Sequence, residues 1–242
     1  MRIGTWNVAY GVGGRNPDRR AILLSRDADV WVLTETNAAL DLGGEFSPVS
    51  SEPRKLPDKG ARWVTIWSRF PLLRSLTVPD PRRMVAAVFD SPAGPLAVAG
   101  VVLPWHTDIG DVPVDPPPRN WQEHRRVVRD EVPRLLRGLR EGAPDARRVV
   151  AGDFNTDFPA APNVYSYGVK VVRAELASLL AGESLLCHTA NVLYPPPSPV
   201  RTLIDHVCTT WGPALSVETW TGEDGGRPRL SDHPGVVVTL PD

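Results

Sequence analysis

Residues 148–156 read RVVAGDFNT and combine an apolar run with polar residues at its end. The apolar run, Arg148 to Ala151, is typical of a buried strand, and it stops at a glycine that is followed by an acid and an amide. Side chains alternate between faces in an extended segment, so Asp153 and Asn155, two residues apart, are predicted to point the same way. Because sheet proteins usually build their sites from polar groups at the ends of buried strands, the stretch predicts a functional site here.

Similar apolar runs bounded by turn residues recur along the chain and are predicted to be strands. Helical signals are fewer than strand signals. This order fits an α/β fold of two sheets packed together and covered by helices better than a strictly alternating parallel sheet. The further predicted strands are Arg2–Val8, Val30–Leu33, Trp63–Trp67, Met84–Phe89, Leu96–Leu103, Leu203–Cys208 and Val236–Leu240.

Three helices are predicted from capping residues and from apolar residues at three-to-four spacing. Asn16 is expected to cap the first helix, with a proline at its first helical position. Pro133 is expected to end or kink the second, and Gly182 to close the third as its C-cap. The predicted helices cover about Asn16–Ser25, Asn120–Arg140 and Ala174–Ala181.

The composition predicts one domain over residues 1–242, since 242 residues with 42% hydrophobic content are enough for one large α/β core. Lys plus Arg number 27 against 28 acidic residues, a formal charge of −1, so no bulk attraction to nucleic acid follows. Two groups of arginines either form a local basic patch or are solvated helix faces. They are Arg15, Arg19, Arg20 and Arg26, and Arg119, Arg125, Arg126 and Arg129.

The cellular location is inferred from what the sequence lacks. The N-terminus has no basic segment followed by an apolar stretch of signal length, and no segment is long and apolar enough to span a membrane. A cytoplasmic location is therefore expected. The two cysteines, Cys187 and Cys208, lie in no redox or zinc motif and are expected to be buried free thiols.

Five short segments place carboxylates, amides and a histidine where an apolar strand is predicted to stop. Taken singly, each polar residue is ordinarily a turn former or a helix cap. Oxygen ligands such as Glu35 and Asp232 suit magnesium or manganese, whereas zinc would require more histidine or cysteine at ligand spacing. The segments are Thr5-Trp6-Asn7, Leu33-Thr34-Glu35, Gly152-Asp153-Phe154-Asn155, Leu203-Ile204-Asp205 and Ser231-Asp232-His233.

In order and in wording, these segments resemble the motifs of the endonuclease/exonuclease/phosphatase superfamily. The resemblance extends from Thr5 to His233, and residues 152–156 are similar to the most recognisable signature of the family. It implies a four-layered α/β/β/α sandwich of two mixed sheets flanked by helices. It also implies metal-dependent hydrolysis of phosphate esters with Mg²⁺ or Mn²⁺.

The resemblance implies a role for each residue that matches a motif. Glu35 would be the main metal ligand, helped by Asn7 and Asp232, and Asn7 would also lie against the substrate. Asp153 would position or deprotonate the attacking water. Asn155 would donate a hydrogen bond to a phosphate oxygen.

His233, oriented by Asp205, would stabilise or protonate groups on the phosphorus. The alternative, in which the His233 and Asp205 pair is the general base, remains open at this point. Many members carry a catalytic His or Tyr at the end of the strand that here contains Val101 and Val102. His106 is either a substitute from the following loop or a solvated surface histidine.

The natural substrate is open on sequence grounds. A nuclease acting on DNA or RNA is the first choice, and a phosphatase or phosphodiesterase of a small phosphorylated metabolite or lipid head group is the alternative. A catalytically inactive binding module with the same fold is a third possibility, and a monomer is expected. Arg119 is a candidate for bidentate contact with a substrate phosphate. Candidates for stacking on bases are Tyr10, Trp105, Trp121 and Tyr165.

Overall fold

The structure, a computed structural model, describes residues 1–54, 60–108, 119–158, 166–196, 201–222 and 229–241, without the side chains of residues 12 and 13. The strands in these ranges form two six-stranded sheets. The strands are β1 (Arg2–Asn7), β2 (Val30–Thr36), β3 (Ser47–Ser50), β4 (Arg62–Ser68), β5 (Leu72–Leu76), β6 (Met84–Ser91), β7 (Gly94–Val102), β8 (Arg147–Asp153), β9 (Leu186–Cys187), β10 (Asp205–Thr209), β11 (Ser216–Trp220) and β12 (Gly235–Thr239).

Both sheets are mixed, with a parallel pair at the centre and antiparallel strands outside it. The first sheet has the order β11-β12-β1-β2-β4-β3, in which β1 and β2 are parallel. The second has the order β5-β6-β7-β8-β10-β9, in which β7 and β8 are parallel. Because parallel strands bring their carboxyl ends to the same edge of a sheet, each central pair presents its terminal residues together.

An apolar core fills the space between the two sheets. Val32 and Val64 of the first sheet and Val98 and Ala151 of the second belong to this single buried cluster. Strands that are buried on both faces carry near-continuous runs of aliphatic residues, which is why the central strands were visible in the sequence.

The helices cover the outer faces of the sheets. Leu23 packs with Trp31 in a second cluster on the outer face of the first sheet. Leu135 and Leu176 pack with Val150 on the outer face of the second sheet. The layers are therefore α/β/β/α, which confirms the predicted four-layered fold. The helices are α1 (Asn16–Ser25), α2 (Gln122–Asp130), α3 (Val132–Gly142) and α4 (Lys170–Gly182).

Two predicted helix caps are corrected, and one predicted break is confirmed. Asn16 is already helical, and Arg15 holds the N-cap position without a side-chain hydrogen bond. Pro133 does break the second helix, because α2 and α3 are separated at Glu131. Gly182 is the last residue of α4, and the left-handed residue beyond it is Ser184, with φ 57°.

Four strands were absent from the prediction, and each lies at the edge of a sheet: β3, β5, β9 and β11. An edge strand is buried on fewer sides, so its sequence need not be an apolar run. Strand β5 is almost wholly exposed, and β9 has only two residues. The apolar pattern therefore identifies interior strands only.

The two cysteines are free thiols, as predicted. Cys208 is buried, whereas Cys187, opposite it on the edge strand β9, is only half-buried. Among the described residues, no helix has both the length and the apolar character needed to cross a bilayer.

Candidate active site

The ends of β1 and β8 meet across the two sheets. The Asn7 Nδ2 atom donates to Asp153 Oδ2 at 3.2 Å, and both side chains are buried. Strand β10 runs antiparallel to β8 and begins with Asp205, directly opposite Asp153. The sequence placed Asp205 at the end of an apolar strand. It lies instead at the start of one, because the amino end of an antiparallel neighbour reaches the same sheet edge.

His233 completes a compact cluster with these two acids. Its Nδ1 atom lies 2.6 Å from Asp205 Oδ2. The potential ligand atoms of Asp153, Asp205 and His233 all lie within 4.8 Å of one another. We call these three residues the reaction cluster.

The loop before β12 is fastened to β1, and this fixes His233. The Ser231 hydroxyl donates to the Asn7 carbonyl oxygen at 2.5 Å and accepts from the His233 backbone N–H at 3.0 Å. The Trp6 indole N–H donates to the His233 carbonyl oxygen at 3.0 Å. The imidazole position is therefore set by the first strand of the chain.

Asn155 reaches the site through a turn and not through strand alternation. Strand β8 ends at Asp153, and Asn155 has a φ of 47°, so the predicted alternation does not apply. The Asn155 backbone N–H donates to Asp153 Oδ1 at 2.9 Å. Its side-chain Nδ2 donates to the Leu103 carbonyl oxygen at 2.9 Å, which ties it to the end of β7.

Gly152 is required where β8 passes β7. Its φ is +131°, and a Cβ atom would lie 2.1 Å from the Val101 carbonyl oxygen. Gly152→Ala is therefore expected to lower the free energy of unfolding by more than about 3 kcal/mol. Urea unfolding measures this. The control is Gly182→Ala, where an added Cβ has no atom within 4 Å, and an equal loss in both variants would contradict the steric account.

Glu35 lies beside the reaction cluster on strand β2. Its φ is 50°, a left-handed value for a non-glycine residue, which indicates local strain of the kind found at functional sites. Burial raises the pKa of Glu35, a hydrogen bond from Asn7 lowers it, and Asp232 raises it further. Asn7 and Asp232 therefore both act on the Glu35 carboxyl, and the metal set of these three residues stays a prediction.

Burial and charge shift the pKa values of two members of the reaction cluster. Burial, followed by the Asp205 carboxylate, raises the pKa of Asp153 to about 7. Burial lowers the pKa of His233, but the Asp205 and Asp153 carboxylates outweigh it and raise the pKa to about 10. The site therefore combines a carboxyl group poised near neutral pH with an imidazolium.

The acidic residues fit a divalent cation. Asp205 Oδ1 is buried and has no hydrogen-bond partner among the described residues. Burial raises the pKa values of Glu35 and Asp153, and neighbouring carboxylates add to the rise. The tightest group of potential ligands is the reaction cluster, and the predicted metal set of Glu35, Asn7 and Asp232 adjoins it through Asn7.

His106 and Arg119 lie outside these contacts. His106 is exposed in the turn after β7, and its ring lies 5.9 Å from that of Trp121. Arg119 is exposed, and its backbone N–H donates to Gln122 Oε1 at 3.0 Å. Within the described residues, neither side chain forms a hydrogen bond or an ion pair with the reaction cluster. Val101 and Val102 are buried, as their apolar character predicted.

The two arginine groups do not form an open basic patch as a whole. Arg19 is fully buried, and its Nε donates to the Leu230 carbonyl oxygen at 3.0 Å. Arg126 Nη2 pairs with Glu123 Oε1 at 2.6 Å. Arg129 pairs in the same way with its neighbour Asp130, at 2.7 Å.

A column of cations and aromatic rings beside Glu35 was missed from the sequence. The Arg54 guanidinium lies over Tyr10, at 4.5 Å from the ring centroid, and over Trp63 at 4.1 Å. Arg83 lies over Trp63 at 4.6 Å and over Trp105 at 5.9 Å. No local motif joins these residues, because they come from separate elements. Of the predicted stacking residues, Tyr10 and Trp105 belong to this column and Trp121 packs against His106, while Tyr165 lies outside the described residues.

The comparisons with known proteins agree with this architecture. The sequence profile of the Endonuclease/Exonuclease/phosphatase family matches residues 4–233. The fold is similar to that of the 3′ phosphatase NExo from Neisseria, solved with a product DNA hairpin, with a TM-score of 0.68, 21% identity and coverage of 100% of this chain and 99% of that one. No protein of curated function matches the chain.

Two further solved structures share the fold. A humanized TDP2 of D. rerio has a TM-score of 0.64 and 17% identity, with 100% of this chain and 99% of that chain covered. An endonuclease/exonuclease/phosphatase from Beutenbergia cavernae has a TM-score of 0.56 and 20% identity, with 99% and 71% covered.

The fold and the site together define the class of protein: a two-sheet sandwich with a cluster of two aspartates and a histidine at one edge. The chain belongs to the Endonuclease/Exonuclease/phosphatase family, whose profile matches most of its length. Members of this family are generally phosphoester hydrolases, and they generally use divalent metals.

Proposed function

We propose that this chain is a divalent-metal-dependent phosphoesterase that hydrolyses phosphodiester bonds, with a nuclease-type substrate, DNA or RNA, as the first candidate. One observation carries the proposal: the reaction cluster, in which Asp153, Asp205 and His233 lie within 4.8 Å of one another. Hydrolysis of a phosphate ester needs an oriented water and positive or hydrogen-bonding groups around the phosphoryl oxygens. The cluster and its neighbours supply both.

Glu35, with Asn7 and Asp232, would hold Mg²⁺ or Mn²⁺, and the bound cation would supply positive charge to the phosphate oxygens. Asp153 orients the attacking water and accepts its proton. A carboxylate with a pKa near 7 is suited to this task, because at neutral pH it is both substantially ionised and basic enough to take a proton.

Asn155 and His233 bind the phosphoryl oxygens. The Asn155 amide has two N–H groups, and Leu103 accepts one of them, so the other is free to donate to the substrate. His233 is protonated at neutral pH because Asp205 and Asp153 raise its pKa. This favours stabilisation of charge, or protonation of the leaving group, over the alternative in which His233 is the general base.

A small phosphorylated metabolite is the second candidate substrate. The observation that favours it is the pairing of arginines such as Arg126 and Arg129 with neighbouring acids, since proteins that follow a nucleic acid backbone usually present unpaired basic groups. A catalytically inactive binding module is the candidate from another class. His106 remains a proposed catalytic residue, from the loop after β7, and Arg119 a proposed substrate contact, from the segment before α2.

A substrate panel distinguishes these candidates. Plasmid DNA, RNA, bis-nitrophenyl phosphate and nitrophenyl phosphate are incubated with Mg²⁺, with Mn²⁺ or with a chelator. Cleavage of the polynucleotides supports the nuclease. Turnover of the nitrophenyl esters alone supports a small-molecule phosphoesterase. Absence of metal-dependent turnover on every member would overturn the enzymatic proposal.

Metal binding is expected to stabilise the fold independently of turnover. At a concentration of Mn²⁺ about 100 times its Kd, the gain in unfolding free energy is about 2.7 kcal/mol, which raises Tm by roughly 5–10 °C. Glu35→Gln is expected to remove most of this shift, as measured by differential scanning calorimetry. The matched control is Glu52→Gln at an exposed glutamate. Equal shifts in Glu35→Gln and the wild type would exclude Glu35 as a ligand.

A further inference from the structure

Tyr10 lies in a strained 3₁₀ turn, Ala9–Gly14, directly after β1, the strand that carries Asn7. Ala9 and Tyr10 have φ values of 48° and 52°, so two consecutive non-glycine residues are left-handed. Such residues persist only where the surroundings hold them, and they cluster at functional sites. The Ala9 N–H donates to Asn7 Oδ1 at 3.0 Å, and the Asn37 side chain donates to the Tyr10 carbonyl oxygen. The turn is therefore tied to the carboxyl ends of β1 and β2.

The Tyr10 ring has its orientation fixed by packing. Its centroid lies 5.9 Å from that of Trp63 in an edge-on arrangement. The Arg54 guanidinium covers its face at 4.5 Å and reaches Trp63 as well. The hydroxyl at the far end of the ring is therefore held in one position.

This hydroxyl is buried and makes no hydrogen bond with any residue in the described part of the chain. Burial raises its pKa well above the ordinary value, and the carboxylates of Glu35 and Asp153 act in the same direction. It therefore remains a neutral donor within electrostatic reach of both acids. A buried donor without an acceptor is unfavourable in the free protein, and the cost is recovered when a ligand supplies the acceptor.

We propose that the Tyr10 hydroxyl donates a hydrogen bond to a nonbridging oxygen of the phosphoryl group that binds at the reaction cluster. The inference rests on the proposed function and adds to it a substrate-contacting residue from the turn after β1, in addition to Asn155 from the turn after β8. The phosphoryl group would then receive donors from both turns. Arg54, which lowers the pKa of the same hydroxyl, contributes positive potential on that side, whereas the charge of Arg83 is paired with Asp108 Oδ2 at 2.6 Å.

Tyr10→Phe tests the proposal because it keeps the ring and removes only the hydroxyl. We expect kcat/KM for bis-nitrophenyl phosphate with Mn²⁺ to fall by about tenfold or more, as for loss of one positioned donor. We also expect Tm without substrate to be unchanged or higher, because the unpartnered donor is gone. The matched control is Tyr167→Phe, at a half-buried tyrosine whose ring packs on Trp121. An unchanged kcat/KM in Tyr10→Phe would overturn the inference. A lower kcat/KM would also overturn it if Tm fell far enough to unfold the variant at the assay temperature.

A binding measurement separates this inference from the proposed function. Inorganic phosphate is titrated by calorimetry into the Mn²⁺-loaded wild type and into Tyr10→Phe. A Kd at least about fivefold weaker in the variant supports the contact, on the scale expected for one hydrogen bond to a charged group. Equal Kd values, or no binding of phosphate by the wild type, would overturn it. A wild type that binds phosphate through Tyr10 but turns over no ester would refute the proposed function alone.

Discussion

Asp153→Asn is expected to reduce kcat/KM for metal-dependent hydrolysis of a phosphodiester by about 10³-fold, within the range for loss of a general base. The amide keeps the shape of the side chain but cannot accept the proton of the attacking water. It also keeps an oxygen for the backbone N–H of Asn155, which lies 2.9 Å from Asp153 Oδ1 in the wild type. Initial rates with bis-nitrophenyl phosphate and Mn²⁺ measure the loss.

The stability of the same variant distinguishes a chemical role from a structural one. Burial raises the pKa of Asp153 from 3.8 to about 7. Its contribution to the stability of the metal-free protein is therefore present below about pH 4 and lost as the pH rises through about 7. Asp153→Asn removes this loss, so its metal-free Tm at pH 8 is expected to be at least that of the wild type.

Asp157→Asn is the matched control for this pair of measurements. Asp157 is also buried, but it pairs with Arg173 Nη2 at 2.6 Å and accepts the Tyr167 backbone N–H at 2.8 Å. Removing one partner of a buried ion pair destabilises a fold, so its Tm is expected to fall while kcat/KM stays within about fivefold of the wild type. If Asp153→Asn behaves like this control, Asp153 is structural.

His233→Asn is expected to reduce kcat/KM by about 10²–10³-fold, on the scale of losing one preorganised charge-stabilising group. The variant has no imidazolium to neutralise charge on the phosphoryl group or to protonate the leaving oxygen. Asp205→Asn is expected to cause a comparable loss, because Asp205 orients the ring at 2.6 Å and holds its proton. Steady-state kinetics of both single variants and of the double variant measure this.

The double variant is the informative member of the set. Mutations of groups that act as one unit do not have additive effects. The kcat/KM of the double variant, Asp205→Asn with His233→Asn, should therefore be at most about threefold below that of the less active single variant. His188→Asn is the control. This half-buried histidine forms a hydrogen bond with Thr209 Oγ1 at 2.8 Å, at the far end of β10 from Asp205. Independent, multiplied losses would show that Asp205 does not act through His233.

The interior of the fold could be predicted from the sequence, and its margins could not. Strands β1, β2, β7 and β8 are buried on both faces, so their residues form aliphatic runs that identify them directly. Edge strand β5 is exposed along most of its length and has no such run. Helix ends were less certain because a cap depends on one or two residues, as the shift from Asn16 to Arg15 illustrates.

The residues of the candidate site were predicted from the motif resemblance, but their arrangement in space could be seen only in the structure. Asp153 and His233 were both named from the sequence, but nothing in their spacing indicates that they meet. Their meeting depends on two sheets facing each other and on the Ser231 hydroxyl bond to Asn7. Tyr10 was considered only as a stacking ring, because its unpartnered hydroxyl becomes apparent only when the burial of the folded chain is known.

The central test measures the rate of bis-nitrophenyl phosphate hydrolysis in three samples. The first is the wild-type protein with Mn²⁺, the second is the same preparation with a chelator, and the third is Asp153→Asn with Mn²⁺. We expect turnover in the first sample and a loss of at least about 10²-fold in the other two. Equal rates with Mn²⁺ and with chelator, or equal rates in the wild type and Asp153→Asn, would contradict a metal-dependent phosphoesterase built on Asp153.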